Sequence, residues 1–288
     1  MFTIQSPLAN AASGIKKTVA VFEFTNDSGY GSKVNLGKDF STQLSDALVQ
    51  SDQFIVLTRK DLDVVMAEQD LAQSDRFAKS KAAQTGKLTS AQILIKGKIT
   101  EFTKKKSGGG QGFSIKGFSI GAKKSSAHIA VIIQLVDSTT GEILHSKRVE
   151  GDAKAGGLSL GYSGEFDISS SNFKKTPLGK ALQIAIDNAV EYIAQQMADI
   201  PWRGKVVLMK NGIVFINAGE NSGINRGDTF SVYKEGEALI DPDTGINLGS
   251  DTAKIADISV VEVKEKFSKA KVLGTASGQI AKGDIVKQ

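Results

Sequence analysis

Apolar and polar residues follow two different spacings along this chain, and the switches between them predict its elements. Thr18–Phe24 (TVAVFEF) is β-branched and aromatic and predicts a buried strand. Asn26–Asp39 is rich in Gly, Asn and Ser and predicts a loop, with Asp39 capping the helix that follows. Phe40, Leu44, Ala47 and Leu48 then recur at helical spacing. Phe54–Leu57 predicts a short strand. Thr58 and Asp61 have the spacing of a capping box, before a helix whose buried stripe is Leu62, Val65 and Met66. A further helix is expected over about residues 76–84.

Ile93–Phe102 and Ala127–Asp137 predict long strands, with Ala127, Ile129, Val131, Ile133 and Leu135 on one face of the second. Ser138-Thr139-Thr140-Gly141 is a tight turn into Glu142–Val149, which makes a hairpin. Thr176-Pro177 opens the strongest helix, Thr as cap and Pro at its first position. Its stripe is Leu178, Leu182, Ala185, Ile186, Ala189, Ile193 and Met197, and Pro201 closes it. After Pro201-Trp202 the pattern becomes short strands and Gly/Asp turns. A Gly-Asp turn occurs twice just before a strand, at Gly227-Asp228 and at Gly283-Asp284, which suits a small barrel or sandwich. The expected fold class is α+β. A mixed sheet with packed helices over 18–203 carries hairpin inserts at about 104–126 and 151–175. A small all-β domain covers 204–288, and residues 1–17 are expected to be a flexible leader.

Composition narrows the chemistry. The 288 residues hold no Cys and only two His, His128 and His145. Disulfides, thiolate zinc sites and Cys nucleophiles are excluded, and acid–base chemistry is thinly supplied. No stretch of 18 apolar residues exists, so no transmembrane helix is expected. β-strands that cross a membrane carry only a weak alternating signal and stay open. The leader holds Ala9-Asn10-Ala11, which resembles the end of a secretory signal, but no apolar segment precedes it. The net charge of +5 lies wholly before Gly204, because Gly204–Gln288 holds 11 basic and 11 acidic residues. Phe102–Val136 contains no acid and carries Lys104, Lys105, Lys106, Lys116, Lys123 and Lys124. That run reads either as a solvated loop or as an anion-binding face. The scarcity of arginine and of stacking aromatics argues against nucleic acid as a partner.

Both inserts are far longer than ordinary hairpin loops. In the first, Phe113 and Ile115 share a parity that flips at Gly117 to Phe118 and Ile120. In the second, Leu158, Leu160, Tyr162 and Phe166 alternate with small or polar residues. One apolar face against one small or polar face is what a barrel strand between lipid and water requires, and each insert is long enough for one hairpin. The same composition is also that of a pair of surface loops.

At these residues the chain resembles the curli secretion channel (CsgG-like) family, over about Val19–Met197. The resemblance rests on VAVFEF from Val19, on FSTQLSDAL from Phe40 and on FIVLTRKDL from Phe54. It continues with IKGKITE from Ile95, the glycine insert at Ser107, and VDSTTGEIL from Val136. It implies a ring of identical subunits, each lending two hairpins to one outer-membrane barrel above a periplasmic vestibule. At four strands per subunit, a barrel of about 36 strands would need roughly nine subunits. The implied partners are other copies of the chain, outer-membrane lipid, an unfolded polypeptide client and an accessory protein. The loop after the first strand would form the constriction, here Asn26–Lys38, with Tyr30 and Asn35 facing the lumen and Lys33 giving a positive rim. The lipid-facing positions would be Phe113, Ile115, Phe118, Ile120, Leu158, Leu160, Tyr162 and Phe166. The C-terminal region resembles that of the flagellar protein FlgT, through Ile216-Asn-Ala-Gly219, Gly227-Asp228 and LIDPDTG from Leu239. A soluble periplasmic scaffold on the same fold, with its inserts left as loops, is the alternative.

Other motifs look chemical. Gly117-Phe-Ser119-Ile-Gly121 and Gly157-Leu-Ser159-Leu-Gly161 match a nucleophile elbow, but neither precedes a helix and no His follows Ser159. Ser119, Asp137 and His145 all fall in one antiparallel region. Asp241-Pro-Asp243-Thr-Gly245 opens like a calcium loop but places Gly fifth and Thr252 where a glutamate belongs. A hairpin turn is expected there. No catalytic residue, metal or cofactor is expected, and the chain is not read as an enzyme.

Overall fold

The computed structural model describes residues 14–30, 35–59, 62–72, 89–107, 113–115, 118–120, 124–155, 171–243, 245 and 247–288. The chain divides into two compact units, Thr18–Met197 and a second made of Ala198–Gln288 together with the segment up to Lys17.

The first unit is built on a mixed sheet. Its strands are β1 (Lys17–Val21), β2 (Thr25–Asn26), β3 (Phe54–Leu57), β4 (Ile93–Ser107), β7 (Lys124–Asp137) and β8 (Ile143–Ala155). Their order is β3-β1-β4-β7-β8, with β2 beside β4. β1 and β4 run parallel, as a crossover through a helix requires. β4, β7 and β8 form an antiparallel meander. Each of these three runs past the stretch its sequence predicted, so the first residues of both expected inserts continue the ladder instead of leaving it. β5 (Phe113–Ile115) and β6 (Phe118–Ile120) form a separate two-stranded hairpin.

Helices α1 (Leu36–Gln50), α2 (Leu62–Ala72), α3 (Ser171–Lys174) and α4 (Pro177–Asp199) complete the unit. The stripe predicted for α4 is buried at Leu178, Leu182, Ala185, Ile186, Ala189, Ile193 and Met197. The Thr176 hydroxyl accepts the Gly179 N–H at 3.0 Å and so caps the helix. α4 lies so close to the sheet that a Cβ at Gly151 of β8 would collide with the Ala181 carbonyl. Only glycine permits that approach. α1 buries Leu36, Phe40, Leu44 and Leu48, with the Phe40 ring packed at a tilt against Phe24, 5.0 Å between ring centroids.

Two helix expectations are corrected. The cap of α1 is Asn35 rather than Asp39; Asp39 sits in the first turn, where the helix dipole favours an acid. In α2 the half-buried track is Leu62, Val65 and Gln69, while Met66 falls off it and is exposed along with Val64. The helix expected over 76–84 lies outside the described residues.

The second unit is a closed barrel of β9 (Arg203–Lys210), β10 (Ile213–Ile216), β11 (Thr229–Ile240), β12 (Asn247–Val263), β13 (Ser268–Leu273) and β14 (Ile285–Lys287). The ring runs β10-β13-β12-β11-β14 and closes through β9. Its core includes Trp202, Val214, Ile216, Phe230, Val232, Ile258 and Val286, with Ile15 packed among them. The two Gly-Asp turns are built alike. Gly227 and Gly283, at φ +96° and +99°, donate to the Val260 and Val206 carbonyls. The carbonyls of Asp228 and Asp284 accept the N–H groups of the same two valines in return. Each Asp side chain then ties back to the residue three before it, Asn225 at 2.8 Å and Ala281 at 2.7 Å.

Candidate functional site

The sheet of the first unit has two different faces because side chains alternate along each strand. One face carries Ile93, Ile95, Ile99, Phe102, Ile129, Val131, Ile133, Leu135 and Val149, all buried. The other carries Lys96, Lys98, Glu101, His128, Ile132, Gln134, Arg148, Glu150 and Asp152, each exposed or half-buried. A register shift between Ile99 and Glu101 keeps Glu101 on this polar face.

Cross-strand pairing assembles five of these polar residues into a network. Arg148 bridges Glu101 at 2.6 Å and Glu150 at 2.7 Å. His128 lies opposite Asp152 in the ladder, with Nδ1 3.0 Å from that carboxylate and Nε2 3.4 Å from Glu101. The hydrogen bond from Arg148, and then its charge, hold the Glu101 carboxyl below the usual carboxylate range. The same bonds raise the Arg148 guanidinium, so both ions are kept charged. His128, Glu150 and Asp152 could together hold a metal ion, their ligand atoms lying within 4.8 Å of one another. Each already has a partner within the network, which is a strap across β4, β7 and β8. The sequence treats His128 as an ordinary strand residue. The signal it carried is the spacing Arg148, Glu150, Asp152, which puts three charges on one strand face.

Above the network the ladder carries lysines. Lys105 pairs with Ser126, Ser126 with Lys154, and Ser107 with Lys124, so these three lysine positions continue, in register, the row that holds His128 and Asp152. Farther along the chain, the β5–β6 ladder pairs Phe113 with Ile120, Ser114 with Ser119 and Ile115 with Phe118. The parity flip read at Gly117 thus places four apolar positions on one face of a hairpin and two serines on the other. Leu158, Leu160, Tyr162 and Phe166 lie outside the described residues.

Of the loop residues, Tyr30 is 40% exposed and packs edge-on against Phe102, at 4.6 Å between centroids. Asn26 organises the loop, its side chain donating to the Tyr30 carbonyl at 3.1 Å and accepting from Ser28. Asn35 accepts the Lys38 N–H and donates to Glu23, both at 3.0 Å, so it fixes the start of α1. Lys33 lies outside the described residues.

The chemical motifs stay apart. Ser119 sits in the β5–β6 ladder, while the Asp137 carboxylate accepts the Thr139 and Thr140 N–H groups and shapes the turn before β8. Asp241 accepts the Asp243 N–H on its side chain and the Gly245 N–H on its carbonyl, the expected hairpin turn.

A mixed α/β unit with an elongated antiparallel meander, joined to a closed six-stranded barrel, defines the class. The chain belongs to the family of the curli production assembly/transport component CsgG, whose model matches residues 4–221. Residues 211–288 match the C-terminal domain of flagellar assembly protein T. No curated protein sequence matches the chain. Among solved structures it is similar to the hypothetical protein CT253 from Chlamydia trachomatis, with 17% identity, 62% of this chain and 96% of that one covered, and a TM-score of 0.39. It is also similar to the PelC dodecamer from Paraburkholderia phytofirmans, with 13% identity, 61% and 86% covered, and a TM-score of 0.28. A third is lipoprotein GNA1162 from Neisseria meningitidis, with 16% identity, 64% and 99% covered, and a TM-score of 0.28.

Proposed function

We propose that this protein is a ring-forming outer-membrane pore of the curli-secretion type, a passive conduit for unfolded polypeptide. The observation that carries the reading is the β5–β6 register, which aligns Phe113, Ile115, Phe118 and Ile120 on one face with Ser114 and Ser119 behind them. An apolar face toward lipid and a small polar face toward water is the pattern of a barrel strand. Each copy lends this hairpin and a second one, bearing Leu158, Leu160, Tyr162 and Phe166, to a shared wall. Roughly nine copies would close it, at four strands each in a barrel of about 36. Tyr30, Lys33 and Asn35 form the constriction, with Asn35 pinned by its helix cap and Tyr30 braced on Phe102. Catalysis is not needed: the lumen's width and charge select what passes. The barrel of the second unit binds an accessory protein in the envelope.

A second reading has its own support. β5 and β6 are three residues each, against about 9–11 residues for a strand that crosses a bilayer. On this reading the hairpins stay in water and the protein is a periplasmic scaffold. Planar-bilayer recording of purified oligomer separates the two. Stepwise currents, with Tyr30→Ala raising the conductance, support the pore. Detergent-free particles that never conduct rule it out, and an unchanged current in Tyr30→Ala moves the constriction elsewhere.

A further inference from the structure

The longest hairpin of the barrel extends beyond the ring. β11 meets β14 only over Ser231–Tyr233, and β12 meets β13 only over Asp257–Val263. Past those rows, Lys234–Ile240 pairs with residues of β12 from 247 to 253 and with no other strand among the described residues. Every residue of Lys234–Ile240 is exposed, including Leu239 and Ile240 at 51% and 54%. Seven residues at about 3.3 Å each make an arm roughly 20 Å long.

The charge of this arm differs from that of the barrel that bears it. Between residues 235 and 251 lie Glu235, Glu237, Asp241, Asp243 and Asp251, with no Lys or Arg. The rest of Gly204–Gln288 holds 11 basic residues against six acidic ones. The neutral total of Gly204–Gln288 therefore hides an acidic projection on a basic body. The first unit holds the opposite feature, Lys105, Lys124 and Lys154 on one face of the β4–β7–β8 ladder, in a stretch where Phe102–Val136 has no acid.

The geometry points to an arm that docks on a second copy of this chain, its carboxylates set against Lys105, Lys124 and Lys154. Five negative charges disfavour an anionic lipid surface, and that lysine row, in a stretch where Phe102–Val136 has no acid, is a complement that every copy carries. Concentrating like charge in each patch is unfavourable for either alone and is relieved when the two meet. Leu239 and Ile240 add apolar area at the tip. A contact this small lies below the size of a stable standard interface, so it is weak, sensitive to salt and effective where copies are already gathered. The inference does not rest on membrane insertion and applies equally to a soluble assembly.

Two charge-reversed forms of the full chain test it: Glu235→Lys/Glu237→Lys/Asp251→Lys, and Lys105→Glu/Lys124→Glu/Lys154→Glu. Self-association is read by sedimentation velocity at about 0.05 M and about 0.5 M salt, where screening lengths differ several-fold. The native chain should associate at low salt and weaken at least about tenfold at high salt. Each variant alone should weaken by a similar factor. An equal mixture of the two should recover association, because the basic arm of one meets the acidic ladder of the other. A mixture that fails to recover overturns the proposal, as does native affinity in either variant alone or a salt-independent native chain. Should reversal impair folding, Glu235→Gln/Glu237→Gln/Asp251→Asn must still weaken association, and native affinity in that variant also overturns it. Loss of binding to anionic vesicles in the Lys→Glu form with self-association intact would assign the lysines to lipid instead.

Discussion

Every strand of the β9–β14 ring has two neighbours, whereas among the described residues of the first unit β3 and β8 each have one. The barrel satisfies its own backbone groups and encloses its core in the same step. The mixed sheet covers one face with α1 and α4, leaves the other to ion pairs, and ends on the 13-residue β8, whose outer edge has no partner among the described residues. Long free edges invite pairing, and proteins usually blunt them. Here the exposed side of β8 carries Arg148, Glu150, Asp152 and Lys154, a charge sequence that a neutral strand from another protein would match poorly. The difference is between a ring whose strands all pair within it and a sheet whose end strands each have one neighbour among the described residues.

The sharpest way to break the contrast is to separate the sheet from its helix. Gly151→Val places two methyl groups and a Cβ where the Ala181 carbonyl lies. Overpacking of that kind costs about 3 kcal/mol. Thermal unfolding followed by circular dichroism should show the first unit melting earlier while the barrel transition stays in place. A single unshifted transition would mean that α4 moves aside without cost.

Within the barrel, the two Gly-Asp turns offer an internal control. Asp284 is 7% exposed and Asp228 half-buried, so removing their side chains should differ in effect. Asp284→Ala removes a buried carboxylate and leaves the Ala281 N–H without its partner at a part-buried site, and should cost about 2 kcal/mol, against about 1 kcal/mol for Asp228→Ala, whose bond to Asn225 is exposed. Equal losses in denaturant titrations would show that burial does not set the worth of the turn.

The smallest effects are electrostatic. Lys264 and Lys269 hydrogen-bond Glu262 and bring its carboxyl down to about 2. A depressed carboxyl stabilises fully above its unfolded value and loses that contribution as pH falls through the folded one, here near 2. On the sheet, Arg148→Ala should return Glu101 upward toward the ordinary carboxylate range, with little change in melting because both groups are exposed. Carbon-detected NMR titration of the two carboxyls checks both, and an unmoved Glu101 would transfer its depression to His128.

What could be read from the sequence depended on how local the cause was. The α4 stripe, its Thr176 cap, the β7–β8 turn and the paired Gly-Asp turns are set by residues within a few positions of one another, and each appears where the spacing placed it. The parity flip around Gly117 likewise became a shared apolar face. The network of Glu101, His128, Arg148 and Asp152 was not legible, because it needs three strands in register and a shift at Ile99. The stripe on α2 failed for a similar reason. Its period admitted Met66, but which side of a weakly amphipathic helix is covered depends on what packs there. Asn35 displaced Asp39 as a cap because any of several polar residues in a Gly/Asn/Ser loop can serve, and the Glu23 contact chose among them.

Ile15 belongs to the barrel core, and the N–H of its neighbour Lys16 donates to the Ser222 carbonyl at 2.8 Å. The barrel's chain is therefore interrupted, with Thr18–Met197 lodged between one of its core residues and its first strand. During synthesis that isoleucine emerges some two hundred residues before the wall it fills, and β9 must wait for β14 to close the ring. Loop closure over such separations slows folding. The order of maturation is thus written into the topology: the first unit is complete in sequence before the barrel can shut.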